Sequence, residues 1–112
     1  MYVQVALHHP KGPNEKSYFM SLMPRFAELQ NDHKGFKRLV VGEVEDENII
    51  TLTGIWETEE DFKSALGDIR KFLATIDFPS IQDGPTRSGF SGVSEDSPLT
   101  TVKVSPVLRA RA

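Results

Sequence analysis

Residues 2–8 (YVQVALH) alternate, with Val3, Val5 and Leu7 on one side and Tyr2, Gln4, Ala6 and His8 on the other. A period of two predicts a half-buried strand. The run His9-Pro10-Lys11-Gly12-Pro13 ends it, because two prolines and a glycine cannot continue a ladder. Phe19, Leu22, Met23, Phe26 and Leu29 or Gln30 then recur at near-helical spacing. Asn14 is placed as the N-cap of that helix, with Glu15 in the first turn, where the helix dipole favours an acid. Pro24 falls in the middle. It cannot donate to the Met20 carbonyl and its ring crowds it, which predicts a kink or two shorter helices. The helix should end near His33 and Lys34, with Gly35 in a left-handed position beyond it.

Two strands follow, over 36–44 and 48–56, joined through the polar turn Glu45-Asp46-Glu47-Asn48 as a hairpin. Leu39, Val40 and Val41 in one, and Ile49, Ile50, Leu52 and Ile55 in the other, put apolar residues on both faces. A sheet with one wet face would alternate more cleanly, so each face needs a cover: helices on one, a partner subunit on the other. Thr58-Glu59-Glu60-Asp61 resembles a capping box. Phe62, Ala65, Leu66, Ile69, Leu73 and Ile76 mark a helical stripe behind it. Gly67-Asp68 is expected to interrupt this stripe, with Asp68 capping a second short helix to about residue 75.

Residues 77–98 change in composition: of 22 residues, five are Ser, three Gly and three Pro. They read as an extended loop, and Phe78, Ile81, Phe90 and Val93 argue that it is partly ordered against a pocket mouth or the partner, with Arg87 reaching inward. Residues 99–107 read as the last strand and 108–112 as a frayed tail. The resulting order, β-α-β-β-α-β, predicts one α+β domain over 1–112 of the ferredoxin-like kind: a four-stranded antiparallel sheet with helices on one face.

Composition narrows the classes. The chain has 112 residues, 38% hydrophobic and 26% charged, an ordinary globular balance. A net charge of −3 and a pI near 5.6 argue against a nucleic-acid partner. The absence of cysteine removes disulfides, thiolate metal sites and cysteine nucleophiles. No apolar run is long enough to span a membrane, and MYVQVALHHP does not read as a signal peptide. The expectation is a cytoplasmic protein with no membrane partner.

Lys34-Gly35-Phe36 ahead of the hairpin, and Ile55-Trp56-Glu57-Thr58-Glu59-Glu60-Asp61-Phe62 after it, carry a resemblance. Over roughly residues 2–76 the chain resembles the antibiotic-biosynthesis-monooxygenase-like family. That family typically has Pro-Gly-Phe before its second strand, and Trp-Glu-Ser or Trp-Glu-Thr, then an acid and an aromatic, after its third. Here Lys34 replaces the proline. The resemblance implies a homodimeric α+β barrel. It also implies one of two chemistries: oxygenation of phenols and quinols without cofactor or metal, or oxidative haem degradation. In the first, the deprotonated substrate itself reduces dioxygen in an apolar pocket. By the resemblance, Trp56 is the strand-end tryptophan that lines the pocket and Phe62 its aromatic neighbour. Leu52 stands where an anthrone-oxygenating member has asparagine, and Val5 where the haem degraders have their first-strand asparagine. No histidine lies in 61–78 to hold haem.

Read on their own, the titratable residues carry less. His8 is the candidate catalytic base, on a face with Gln4 and Tyr2. His8 and His9 point to opposite faces and cannot easily share a metal. Arg70 is the candidate for steadying an anionic substrate oxygen, next to Lys71. Eight of the sixteen acids lie between Glu43 and Asp61 without the spacing of a calcium loop, which suits a solvated hairpin tip. No Walker loop, HExxH or nucleophile elbow is present. The expected function is a cofactor-free monooxygenase acting on a small aromatic molecule, with Trp56, Phe62, Leu52 and Arg70 at the substrate. A non-catalytic binding or assembly module of the same fold is the alternative, and haem degradation a distant third.

Overall fold

A computed structural model describes residues 1–44, 46–94 and 96–106. Its sheet comprises β1 (Tyr2–His8), β2 (Phe36–Val44), β3 (Ile49–Trp56), β4 (Arg87–Gly92) and the two-residue β5 (Ser105–Pro106). The strands lie in the order β2-β3-β1-β4-β5, and all neighbours are antiparallel. Helices α1 (Pro13–Asn31) and α2 (Glu59–Leu73) pack on one face, and the short α3 (Phe78–Ile81) closes one end. This is the ferredoxin-like α+β arrangement that the element order predicts. Among the described residues no helix is long and apolar enough to cross a membrane.

The register shows which face is the core. Ile50, Leu52 and Trp56 of β3 are buried on the same side as Ala6 and His8 of β1, their partners across the ladder being in phase. The helix-covered face of β1 is therefore the Tyr2/Gln4/Ala6/His8 side. The irregularity in β2 between Phe36 and Arg38 is a β-bulge at Lys37. The extra residue lets Phe36 and Leu39, three apart, both face the helices. On α1, Phe19, Met23, Phe26 and Gln30 are buried; on α2, Phe62, Ala65 and Ile69.

Several boundaries differ from the sequence expectation. Gly12, not Asn14, is the N-cap of α1, because Pro13 suits the first helical position, where no N–H bond is needed. Helix α1 runs unbroken through Pro24 to Asn31. Helix α2 does not break at Gly67-Asp68: its buried stripe runs on to Ile69, and the exposed Gly67 only weakens it by about 1 kcal/mol. Asp68 meets His33 (Nε2 to Oδ2, 3.0 Å) rather than capping a helix. The Thr58 cap is as expected, its hydroxyl accepting from the Asp61 N–H at 3.1 Å.

The largest correction concerns 77–107. The fourth strand lies at Arg87–Gly92, inside the segment read as an extended loop, and α3 occupies another part of it. Of the strand expected at 99–107, only Ser105–Pro106 pairs, while 99–104 are irregular and Val107 lies outside the described residues, as does the 108–112 tail. Arg87 pairs with Leu7 and is exposed, so it does not reach inward to a pocket.

Gly35 joins the two halves. It has φ +84, and its carbonyl accepts from the Glu57 N–H at 2.7 Å, tying the start of β2 to the end of β3. A methyl there would run into the Asp61 side chain. Gly35→Ala is expected to lower stability by about 2 kcal/mol or more, from left-handed strain and displacement of Asp61. Urea denaturation measures it; a loss below ~0.5 kcal/mol counts against this role.

Candidate functional site at Trp56

Trp56 ends β3 and is fully buried. Across the ladders it pairs with Tyr2 on one side and Phe36 on the other. Phe36 meets it edge-on at 5.1 Å between ring centroids, and Phe62 edge-on at 5.8 Å. Phe62 reaches this place because the Thr58 cap starts α2 just past the strand end. Its ring also contacts Tyr2 (5.5 Å) and Phe90 (5.5 Å), and Tyr2 and Phe90 stack at 6.2 Å. Five rings from four strands and a helix thus form one layer. Edge-to-face pairs of this kind add to burial energy and fix ring orientation. Phe90, 47% exposed, is the ring that opens to solvent.

Three polar groups border the layer. The Trp56 Nε1–H has no hydrogen-bond partner among the described residues, although it is buried. Gly54, two residues earlier on the same face, leaves a gap: a β-carbon placed there would stand 3.4 Å from Gln4 Oε1 and 3.7 Å from Trp56 Nε1. The gap is bordered by an acceptor and a donor. Tyr2 has its hydroxyl pKa raised, first by burial and then by the charge of Glu59, with Lys63 opposing. The phenol is a hydrogen-bond donor at neutral pH rather than a base.

The remaining candidates lie elsewhere. Leu52 is on the same face, buried opposite Ala6, and its side chain offers no hydrogen bond. His8 pairs with Ile50, six residues along β1 from the Tyr2/Trp56 row, which is about 20 Å at the rise of a strand. It is buried between Phe19 (4.6 Å) and Phe78 (5.6 Å), with Nδ1 3.0 Å from Gln82 Oε1. Gln82 is oriented by donating Nε2 to Thr86 Oγ1 (3.0 Å) and to the Gly84 carbonyl (3.2 Å). With its amide so placed, Gln82 accepts from the Nδ1–H tautomer of His8. Arg70 is exposed in the last turn of α2. The structure thus brings Trp56 and Phe62 together, with Leu52 further along the same buried face, and sets His8 and Arg70 apart from them. Val5 points to the opposite face of the sheet from Trp56.

Two further residues at this site, Gln4 and Gly54, are not among the substrate-site candidates of the sequence, whereas Phe90 is one of the four apolar residues expected against a pocket mouth or the partner. The alternation of ITLTGIW does put Gly54 on the Trp56 face, and the β1 pattern puts Gln4 on the face of Tyr2. Phe90 stands out as an aromatic in a stretch of Ser and Gly, but no local pattern pairs it with Tyr2 and Phe62.

No protein-family model matches the sequence, and a search of curated proteins finds no match. The fold, by contrast, is shared with solved structures. A cofactor-independent oxygenase from Streptomyces nogalater, SnoaB, superposes with a TM-score of 0.69 at 17% identity, covering 88% of this chain and 97% of that one. The monooxygenase of ActVA-Orf6 from Streptomyces coelicolor, solved with nanaomycin D, gives 0.68 at 18% identity over 89% and 92%. Rv0793 from Mycobacterium tuberculosis gives 0.69 at 14% identity over 86% and 98%. The chain has the fold of the antibiotic-biosynthesis-monooxygenase-like proteins.

Proposed function

We propose that the chain binds a small phenolic or quinol-type aromatic in the Trp56 layer and oxidises it with dioxygen, without a cofactor. The observation that carries this reading is the buried, unpartnered Trp56 N–H set among four aromatic rings. Rings supply a flat apolar surface for an aromatic ligand, and the N–H supplies one directional contact to its oxygen. The proteins of this fold described as oxygenases support the reaction class. The substrate is its own reductant. For a methylene between two rings, loss of a proton leaves a carbanion that passes one electron to O2. The radical pair joins carbon to oxygen, the peroxide anion takes a proton back from solvent, and the hydroperoxide loses water to leave a ketone. One O2 is consumed, with one oxygen atom in the ketone and the other in water.

Trp56 and Phe62 line the ligand in this reading, with Leu52 as an apolar wall. His8 and Arg70 stand outside it, so the first proton leaves to solvent on the Phe90 side. The fold class and the uncovered sheet face further support a homodimer, which brings the open faces of two sheets together.

Oxygen uptake with anthrone is the test. The protein should accelerate uptake over buffer, and Trp56→Phe, which keeps a ring but loses the N–H, should lower the rate about tenfold. The second reading, a binding module without turnover, is favoured by one observation: neither Leu52 nor the protonated Tyr2 offers a base beside Trp56. Saturable anthrone binding with no oxygen uptake would select it.

A further inference from the structure

A cleft of about 650 Å³ opens between the first turns of α1 and the tip of the β2–β3 hairpin. That volume lies within the usual range for a small-molecule site. Its helix side is Pro13, Lys16, Ser17 and Met20, spaced i, i+3, i+4 and i+7 and so on one face of α1. Its hairpin side is Glu43, near the end of β2, with Asp46 and Asn48 in the turn. Asp46 (φ 69) and Asn48 (φ 48) are left-handed, a conformation these two residue types tolerate. Glu43 pairs with Ile50, six residues before Trp56 on β3, which sets the cleft about 20 Å from the Trp56 row.

The charges around the cleft do not all answer one another. Lys16 has a side chain only 16% exposed, and its Nζ lies 3.3 Å from Glu43 Oε1, so this pair neutralises itself. An ammonium carries three donors, which leaves others for a ligand. The positive end of α1 is met by Glu15, whose Oε1 stands 3.0 Å from the place of a β-carbon on the N-cap Gly12. The Asp46 carboxylate, by contrast, has no ionic partner among the described residues. The side chains of Ser17 and Asn48 have no hydrogen-bond partner among them either.

We infer that this cleft binds a small hydroxylated amine of the amino-sugar kind. Asp46 takes its ammonium. Lys16 donates to its hydroxyls, and Ser17 and Asn48 both donate and accept, which suits hydroxyls that do the same. The one ammonium of the cleft is already shared with Glu43, which leaves no excess positive charge to hold a phosphate or a carboxylate. Pro13 and Met20 offer apolar contact to the C–H face of a saturated ring, and no aromatic side chain lines the cleft among the described residues. A flat aromatic therefore belongs to the Trp56 layer and not here. This site stands apart from the Trp56 reading and does not rest on it.

Three sugars of one size and different charge test it: glucosamine, glucose and glucuronate, titrated into a 15N-labelled sample at slightly acid pH, where the amine carries its proton. Glucosamine should move the amide resonances of Lys16, Ser17 and Asn48 and leave the Trp56 indole N–H in place. It should bind about fivefold tighter than glucose, the upper range for one partly exposed ion pair, and glucuronate should bind weakest. Asp46→Asn keeps the shape and the left-handed turn and removes the charge, so it should bind glucosamine and glucose equally. Asn48→Gly keeps the backbone conformation and removes the carboxamide, so it should weaken glucose itself by about threefold. Melting temperatures equal to that of the wild type show that both variants keep the fold. Glucuronate bound as tightly as glucosamine, or a glucosamine preference that survives Asp46→Asn, overturns the assignment to Asp46 and the amine. Amides of the cleft that none of the three sugars moves overturn the site, and neither result touches the Trp56 reading.

Discussion

Trp56→Ala is expected to lower the stability of the chain by about 3–5 kcal/mol, the usual loss for truncating a fully buried large aromatic. Trp56 is fully buried, and its neighbours Phe36 and Phe62 both present edges to its ring. Removing it leaves a cavity bounded by three elements that cannot collapse together, because the bulge at Lys37 and the Thr58 cap hold β2 and α2 in place. Against a typical total of about 5–15 kcal/mol, that loss approaches unfolding at physiological temperature. Trp56→Phe separates packing from hydrogen bonding. It retains a ring and deletes an N–H that has no protein partner among the described residues, so its cost should stay below about 2 kcal/mol. Circular dichroism in urea measures both, since either variant lacks the tryptophan needed for fluorescence. A loss under ~1 kcal/mol for the alanine variant would show that the ring is not a structural keystone.

The contrast between β3 and β4 explains how much of this site was legible. In ITLTGIW every second residue is buried, and the strand ends at a tryptophan followed by a capping threonine. Alternation and cap chemistry are local, so both can be read from one stretch of chain. β4 is RSGFSG, with one large apolar residue. It becomes a strand because β1 offers it a ladder and because Gly89 has no side chain. A methyl at Gly89 would run into the Lys103 carbonyl, so the glycine lets the segment at Val102 and Lys103 cross closely over the strand. The β1 ladder comes from residues eighty to ninety positions away, which no local pattern contains. Phe90 was visible as an odd ring in a polar stretch, but its place beside Tyr2 and Phe62 depends on the register. His8 shows the converse. Its type and its strand-end position suggested a base, yet the six-residue offset from Trp56 appears only once β1 and β3 are paired.

Val40→Glu is expected to convert the proposed homodimer to monomer. The face of the sheet away from the helices carries Val3, Val5, Leu7, Ile49, Ile55, Val40 and Val44, by the same register that puts their neighbours in the core. Val40 is 43% exposed and Val44 38%. The crossing at Gly89 lies on the β4 side, which leaves β2 and β3 as the open part. Apolar strands that lie uncovered on a protein of this size favour a partner surface, and a two-fold interface presents the same patch from both copies. One substitution therefore enters twice. Placing two carboxylates in a dehydrated interface, at about 2 kcal/mol or more each, should weaken association at least roughly a thousandfold. In the free subunit the same glutamate reaches water, so the fold should survive. Light scattering at micromolar concentration decides it. The wild type should have twice the 12.5 kDa of one chain, the glutamate variant one chain's mass, and Val40→Thr should remain dimeric. A wild-type monomer would remove the dimer altogether. A glutamate variant that stays dimeric would move the interface off this face, and the apolar outer surface of β2 and β3 would then need another cover.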